Sequence, residues 1–192
     1  MRGFEPADPS SKVSFVPDRA MELLDSKTAY EGVVAKVVIK RYRRASGSEV
    51  ERQVIEHPGS VAILAHDDEV VYLVRQPREV VEEDALLEIP AGTLDVDGES
   101  ELECAKRELA EEVGLAAASW TQLKAIYPSP GFVSERATIF EATGLSAAAS
   151  DPDEDEEIEI VRWPLSDLEG AIEATQDATT LVALLMLKER RS

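Results

Sequence analysis

The stretch Glu88–Leu115, EIPAGTLDVDGESELECAKRELAEEVGL, constrains this chain more than any other. It couples a turn rich in Gly and Asp to a short helix whose polar face is mostly carboxylate. Ser100 and Glu103 have capping-box spacing, which predicts a helix starting there. Gly114 suits the C-terminal stop. On a period of about 3.6 residues, Leu102, Ala105, Leu109 and Val113 share one stripe, predicted to be buried. Glu108 and Glu112 lie one turn apart on a different face, with Glu111 beside them.

Two readings of that acidic face stand on spacing alone. In the plainer and commoner one it is a solvated surface, with Glu103–Arg107 and Arg107–Glu111 pairing at four-residue spacing for a few tenths of a kcal/mol each. The like charges at 108 and 112 repel unless a cation lies between them. The second reading is therefore a Mg²⁺ or Mn²⁺ site, because hard divalent cations are held by carboxylates together with substrate phosphate.

The formal charge is −19, from 39 acidic and 20 basic residues, which disfavours nucleic acid and acidic membrane faces as partners. A small phosphate ester is not excluded, since bound cations change the local field. With 192 residues the chain forms one domain, or one domain with a small appendage. No apolar run reaches the length of about 18 residues needed to span a membrane. Cys104 is the sole cysteine, so no intrachain disulfide can form. It is expected at a surface edge of the helix. The N-terminus has no hydrophobic signal core. A reducing, cytoplasmic location is expected.

Residues 1 to about 27 carry Pro6, Pro9 and Pro17 and read as a loosely ordered arm. Ala29–Tyr42 reads as one strand and Glu49–Glu56 as a second, joined by the turn Ala45–Ser48. Such a hairpin is marginal alone and must pack on the main body or on a second subunit. Ser60–Ala65 and Val70–Arg75 form an apolar hairpin. His57 and His66 have no partners at ligand spacing and read as loop residues. Trp120–Tyr127 and Arg136–Ala142 read as strands flanking a loop that two prolines and a glycine make rigid. Ser150–Glu157 is an acidic run, read as a solvated loop. Ile158–Trp163 is the last strand, Ser166 caps a helix beginning near Asp167, and Thr179–Lys188 is an apolar helix.

Arg107-Glu108-Leu109-Ala110-Glu111-Glu112-Val113-Gly114-Leu115, with Glu99 and Gly92 upstream, resembles the Nudix hydrolase signature. One feature departs from the pattern: six residues, not the usual five, separate Gly92 from Glu99. The extra residue falls in the turn Leu94–Gly98, before the helix, and should leave the carboxylate geometry alone. SPG-x-x-SER at 129–136 resembles the loop carrying the catalytic glutamate of adenosine diphosphate ribose (ADP-ribose) pyrophosphatases, with Glu135 at the matching position. Arg78 matches an arginine of the same subgroup, although Pro77 replaces the residue usually found before it.

The resemblance implies an α/β fold, the Nudix α/β/α sandwich with a mixed sheet, plus an N-terminal antiparallel β region. Residues 1–57 would be an arm and dimerisation region, and residues 58–192 the hydrolase domain. It implies metal ligation by Glu108 and Glu112, assisted by Glu111 and the Ala91 carbonyl. Arg107 would orient a box carboxylate, with Glu99 as partner. Arg78 would hold the diphosphate, as guanidinium forks do, and Glu135 would activate water. Phe132 could stack on a base or anchor its loop. Glu156 and Glu157 are reserve candidates for the base. The implied reaction is metal-dependent hydrolysis of a nucleoside diphosphate sugar, with ADP-ribose giving AMP and ribose 5-phosphate. Two alternatives stay open: another nucleotide sugar such as GDP-mannose, or a non-catalytic nucleotide-sensing Nudix module. A homodimer through the N-terminal β region is expected.

Overall fold

The computed structural model describes residues 21–32, 35–149 and 157–191. Strands β1 (Glu22–Glu31), β2 (Lys36–Arg43) and β3 (Glu49–Glu56) form an antiparallel sheet in that order. The main sheet holds β4 (Ser60–His66), β5 (Val70–Arg78), β6 (Glu83–Glu88), β7 (Ala91–Thr93), β8 (Leu115–Ile126), β9 (Ala137–Ala147) and β10 (Glu159–Pro164). Its order is β10-β5-β4-β9-β8, with β6 on β5 and β7 on β4. The β4–β9 pair is parallel and its neighbours are antiparallel, so the sheet is mixed. The helices are α1 (Glu101–Val113), α2 (Leu168–Ala174) and α3 (Ala178–Arg191).

Side-chain alternation along β4 explains the layers. Successive residues of a strand face opposite sides of its sheet. Ala62 and Leu64 join Leu168, Ala171, Ala183, Leu184 and Leu187 of α2 and α3 in one core. Val61, Ile63 and Ala65 join Ala105, Leu109 and Val113 of α1 in the other. A strand buried on both faces must be apolar throughout, as VAILA is. This is the α/β/α sandwich expected from the sequence, with the N-terminal antiparallel sheet beside it.

The box helix starts and stops as its sequence predicts. Ser100 Oγ accepts from Glu103 N, and the Glu103 carboxylate accepts from Ser100 N. The reciprocal cap satisfies two amides that the helix cannot, worth about 1 kcal/mol. Gly114 closes the helix at φ 70°, the left-handed region open to glycine at little cost.

Four local expectations need correction. Ala29–Tyr42 is not one strand: Glu22–Glu31 and Lys36–Arg43 pair with each other, so the sheet has three strands and the arm ends before Glu22. Its first 20 residues lie outside the described set. The alternation on either side of Gly32 looks continuous, yet the chain reverses there, with Gly32 N donating to Ala35 O. Ser166 does not cap α2. A 3₁₀ turn, Leu165–Asp167, comes first, and the Asp167 carboxylate accepts from Gly170 N. Cys104 is buried rather than at a surface edge, because α1 buries a band wider than the predicted stripe. The strand expected at Trp120 begins at Leu115, immediately after α1. Among the described residues no helix is long and apolar enough to cross a membrane.

Candidate active site

Helix α1 presents its carboxylate face to a cleft of about 400 Å³. The start of β4, the β5–β6 pair, β7, Glu135 on the loop before β9, and the start of α3 supply the remaining walls.

Arg107 is the hub of the box. Its Nε and Nη2 donate to the two Glu99 oxygens at 3.0 and 3.1 Å. Its Nη1 donates to Glu108 Oε1 at 2.8 Å and Glu111 Oε2 at 2.9 Å. The guanidinium holds the Glu99 carboxyl below its usual range, and the same bonds raise Arg107 above its own. The extra residue in the turn therefore leaves Glu99 within reach of Arg107.

Glu112 is buried at 8% exposure, and its Oε2 accepts from Ala91 N at 3.0 Å. Glu108 lies against Gly92 so closely that a Cβ there would stand 2.0 Å from the carboxyl carbon. Gly92 is thus a spacing requirement: it leaves room for a helix carboxylate to reach the cleft.

Elsewhere in the lining, Arg78 Nη2 donates to Glu88 Oε2 at 2.8 Å and its Nε to both oxygens at 3.1 Å. Gln76 Nε2 adds a bond at 3.0 Å. Burial works to lower the Arg78 pKa, but the carboxylates of Glu88, Glu112 and Asp177 outweigh it and hold the group charged. Glu135 Oε1 accepts from Ser60 Oγ at 2.7 Å. Phe132 does not line the cleft. Its side chain is 55% exposed, and its carbonyl accepts from Ile55 N, so its backbone ties the loop to β3. Glu157 is exposed ahead of β10 and away from the cleft lining, and Glu156 lies outside the described residues.

The structure thus brings Ala91, Arg107, Glu108, Glu111, Glu112, Arg78 and Glu135 to one cleft, with Glu99 behind Arg107. Ser60, Gln76, Glu88, Asp95, Asp177 and Thr179 also line it and were not assigned from sequence. His57, read as a loop residue, lines it too. Glu88 carried a signal, a carboxylate ending the apolar run ALLE next to the box.

Seven carboxylates line this cleft (Glu88, Asp95, Glu108, Glu111, Glu112, Glu135, Asp177) against two arginines. Such a wall repels a diphosphate unless cations stand between. Oxygen-only donors on one helical turn fit a hard divalent ion. Among the described residues no three His, Cys, Asp or Glu side chains form a metal-holding group by themselves. Arg107 draws Glu108 and Glu111 together instead.

The model of the NUDIX domain matches residues 56–185. The chain belongs to the Nudix family. Of its relatives, an ADP-ribose pyrophosphatase of Bacillus subtilis (strain 168) is 36% identical over 181 residues, 88% of this chain and 97% of that protein. An ADP-ribose pyrophosphatase of Mycobacterium tuberculosis is 41% identical over 125 residues, 65% of this chain and 60% of that one. The fold superposes on the crystal structure of an ADP compounds hydrolase with TM-score 0.76 at 28% identity, covering 88% of this chain and 92% of that one. As a Nudix pyrophosphohydrolase, this protein has its box on α1 and the adjoining turn, facing the cleft.

Proposed function

We propose that this Nudix hydrolase cleaves the diphosphate of a nucleoside diphosphate sugar, with ADP-ribose as substrate and AMP and ribose 5-phosphate as products. The observation that carries the reading is the cleft itself. Helix carboxylates, Arg78 and Glu135 line the same cleft. The relatives named for ADP-ribose hydrolysis support the choice of sugar.

Glu108 and Glu112, assisted by Glu111 and the Ala91 carbonyl, would hold Mg²⁺ or Mn²⁺. When bound, such an ion neutralises phosphate charge and lowers the pKa of coordinated water. Arg107, braced by Glu99, sets the position of Glu108 and Glu111. Arg78 binds the diphosphate with a forked donor, exchanging part of its Glu88 contact for phosphate oxygens. Glu135 takes the proton of the attacking water as its oxygen bonds to phosphorus and the bridging P–O bond breaks.

Residues 1–57 serve as the dimerisation region of this reading, and residues 58–192 as the catalytic domain. Along β1 nearly every residue is exposed, including Leu23 and Tyr30, and an uncovered edge strand invites pairing. Light scattering on the full chain tests this: a monomer at micromolar concentration would end it. A reducing, cytoplasmic setting suits the single buried Cys104.

The test of substrate is phosphate release from ADP-ribose, GDP-mannose and other nucleotide sugars, with Mg²⁺ or Mn²⁺ and alkaline phosphatase as coupling enzyme. Fastest turnover of ADP-ribose is expected. A faster GDP-mannose rate would move the substrate, and tight binding with no turnover of any member would make the chain a sensor.

A further inference from the structure

We infer that Ser60 is a positioning residue for Glu135, through the bond from its hydroxyl to that carboxylate in the lining of the cleft. The inference rests on the reading of Glu135 as the group that activates water.

Ser60 opens β4 and is fixed on two sides. It is in register with Thr93 of β7 and with Ala137 of β9. Its amide donates to Arg136 O at 3.1 Å, next to Glu135. A serine hydroxyl has one proton to donate, and here it goes to Glu135 Oε1 at 2.7 Å. Glutamate has three side-chain torsions, and an unheld base spends much of its time outside productive geometry. A short hydroxyl bond to one oxygen removes most of that freedom.

The backbone beneath is held as firmly. Ser134 N donates to Ile55 O at 3.0 Å, and Ile55 N donates to Phe132 O at 2.8 Å. His57 N donates to Ser134 Oγ at 2.9 Å. Five hydrogen bonds therefore join residues 132–136 to the segment from Ile55 to Ser60. Four of them fix the loop as a body. Among the described residues only the Ser60 hydroxyl bonds the Glu135 side chain, so removing it should disturb the carboxylate and leave the loop in place.

The test is steady-state kinetics of Ser60→Ala, Ser60→Thr, Glu135→Gln and the Ser60→Ala/Glu135→Gln double variant, beside wild type, on ADP-ribose with Mg²⁺. Ser60→Ala is expected to lower kcat about tenfold while KM stays within about twofold. Ser60→Thr keeps the hydroxyl on a residue suited to a strand and should return kcat to within about threefold of wild type. In the Glu135→Gln background Ser60→Ala should cost nothing further. Thermal melting of all five proteins checks folding. Unchanged kcat in Ser60→Ala, or an equal proportional loss with and without Glu135, would overturn the inference. A wild type inactive on ADP-ribose would instead refute the substrate, and the same proteins would then be compared on whichever panel member is hydrolysed.

Discussion

Gly92 and Glu108 compete for the same space: a methyl group on Gly92 would come within 2.0 Å of Glu108 Oε1. The strand β7 can lie this close to α1 only because residue 92 has no side chain. Gly92→Ala should therefore fold, since the obstructing atoms all belong to the Glu108 side chain, but that side chain must swing away from Cγ outward, because Cγ itself would stand 2.4 Å off. Turnover should fall by about tenfold or more, the scale of a displaced catalytic group. Kinetics alongside circular dichroism check this, and a fully active, fully folded Gly92→Ala would show that Glu108 is not needed where it lies.

Arg107 holds Glu99, Glu108 and Glu111 at once. Arg107→Lys keeps the charge but loses the planar fork that spans Glu99. Stability should drop measurably in urea denaturation, because the fork that bonds Glu99 and Glu108 together is lost. Turnover should fall as well. Arg107→Lys with wild-type denaturation and kinetics would reduce the hub to an incidental surface contact.

Acid should loosen the box. Glu99 is held below its ordinary value of 4.5 by the Arg107 guanidinium, and Glu103 by the Ser100 hydroxyl and amide. A carboxyl depressed on folding contributes stability above its unfolded pKa and loses it as pH falls through the folded value. Comparing wild type with Glu99→Gln by denaturation should give a constant difference near neutrality, shrinking as pH drops below 4.5. A gap that widened toward acid would contradict the sign.

Cys104 lies beneath the box, with no exposed surface, and burial pushes its thiol up to about 12. The thiolate is the reactive form. A disulfide reagent at pH 8 should leave the native protein unmodified for hours and label one thiol at once in guanidinium. Rapid labelling of native protein would mean that α1 opens readily.

The box helix was legible because its signals are local. Ser100 and Glu103 cap it, Gly114 ends it, and its apolar stripe repeats with the helical period. The two-faced core was legible too, since VAILA in β4 leaves no polar face. The rest depends on distant pairing. Nothing local in the sequence says that Ser60 lies beside Glu135, 75 residues later, because that closeness comes from the parallel register of β4 and β9. Arg78 read as a phosphate clamp, but its bonds to Glu88 follow from the β5–β6 pairing. The reversal at Gly32 was hidden because both flanking segments alternate well enough to read as one strand.

The most direct measurement is coupled phosphate release from ADP-ribose by wild type, Glu108→Gln and Glu112→Gln, with and without Mg²⁺, melting temperatures taken in parallel. If Glu108 and Glu112 hold the metal as proposed, removing either charge should cost about 10²-fold or more while the fold persists. The account predicts turnover by wild type only when the ion is supplied, and near-complete loss in both folded variants. Glu112→Gln working at the wild-type rate, or wild-type turnover undiminished by a chelator, would contradict it.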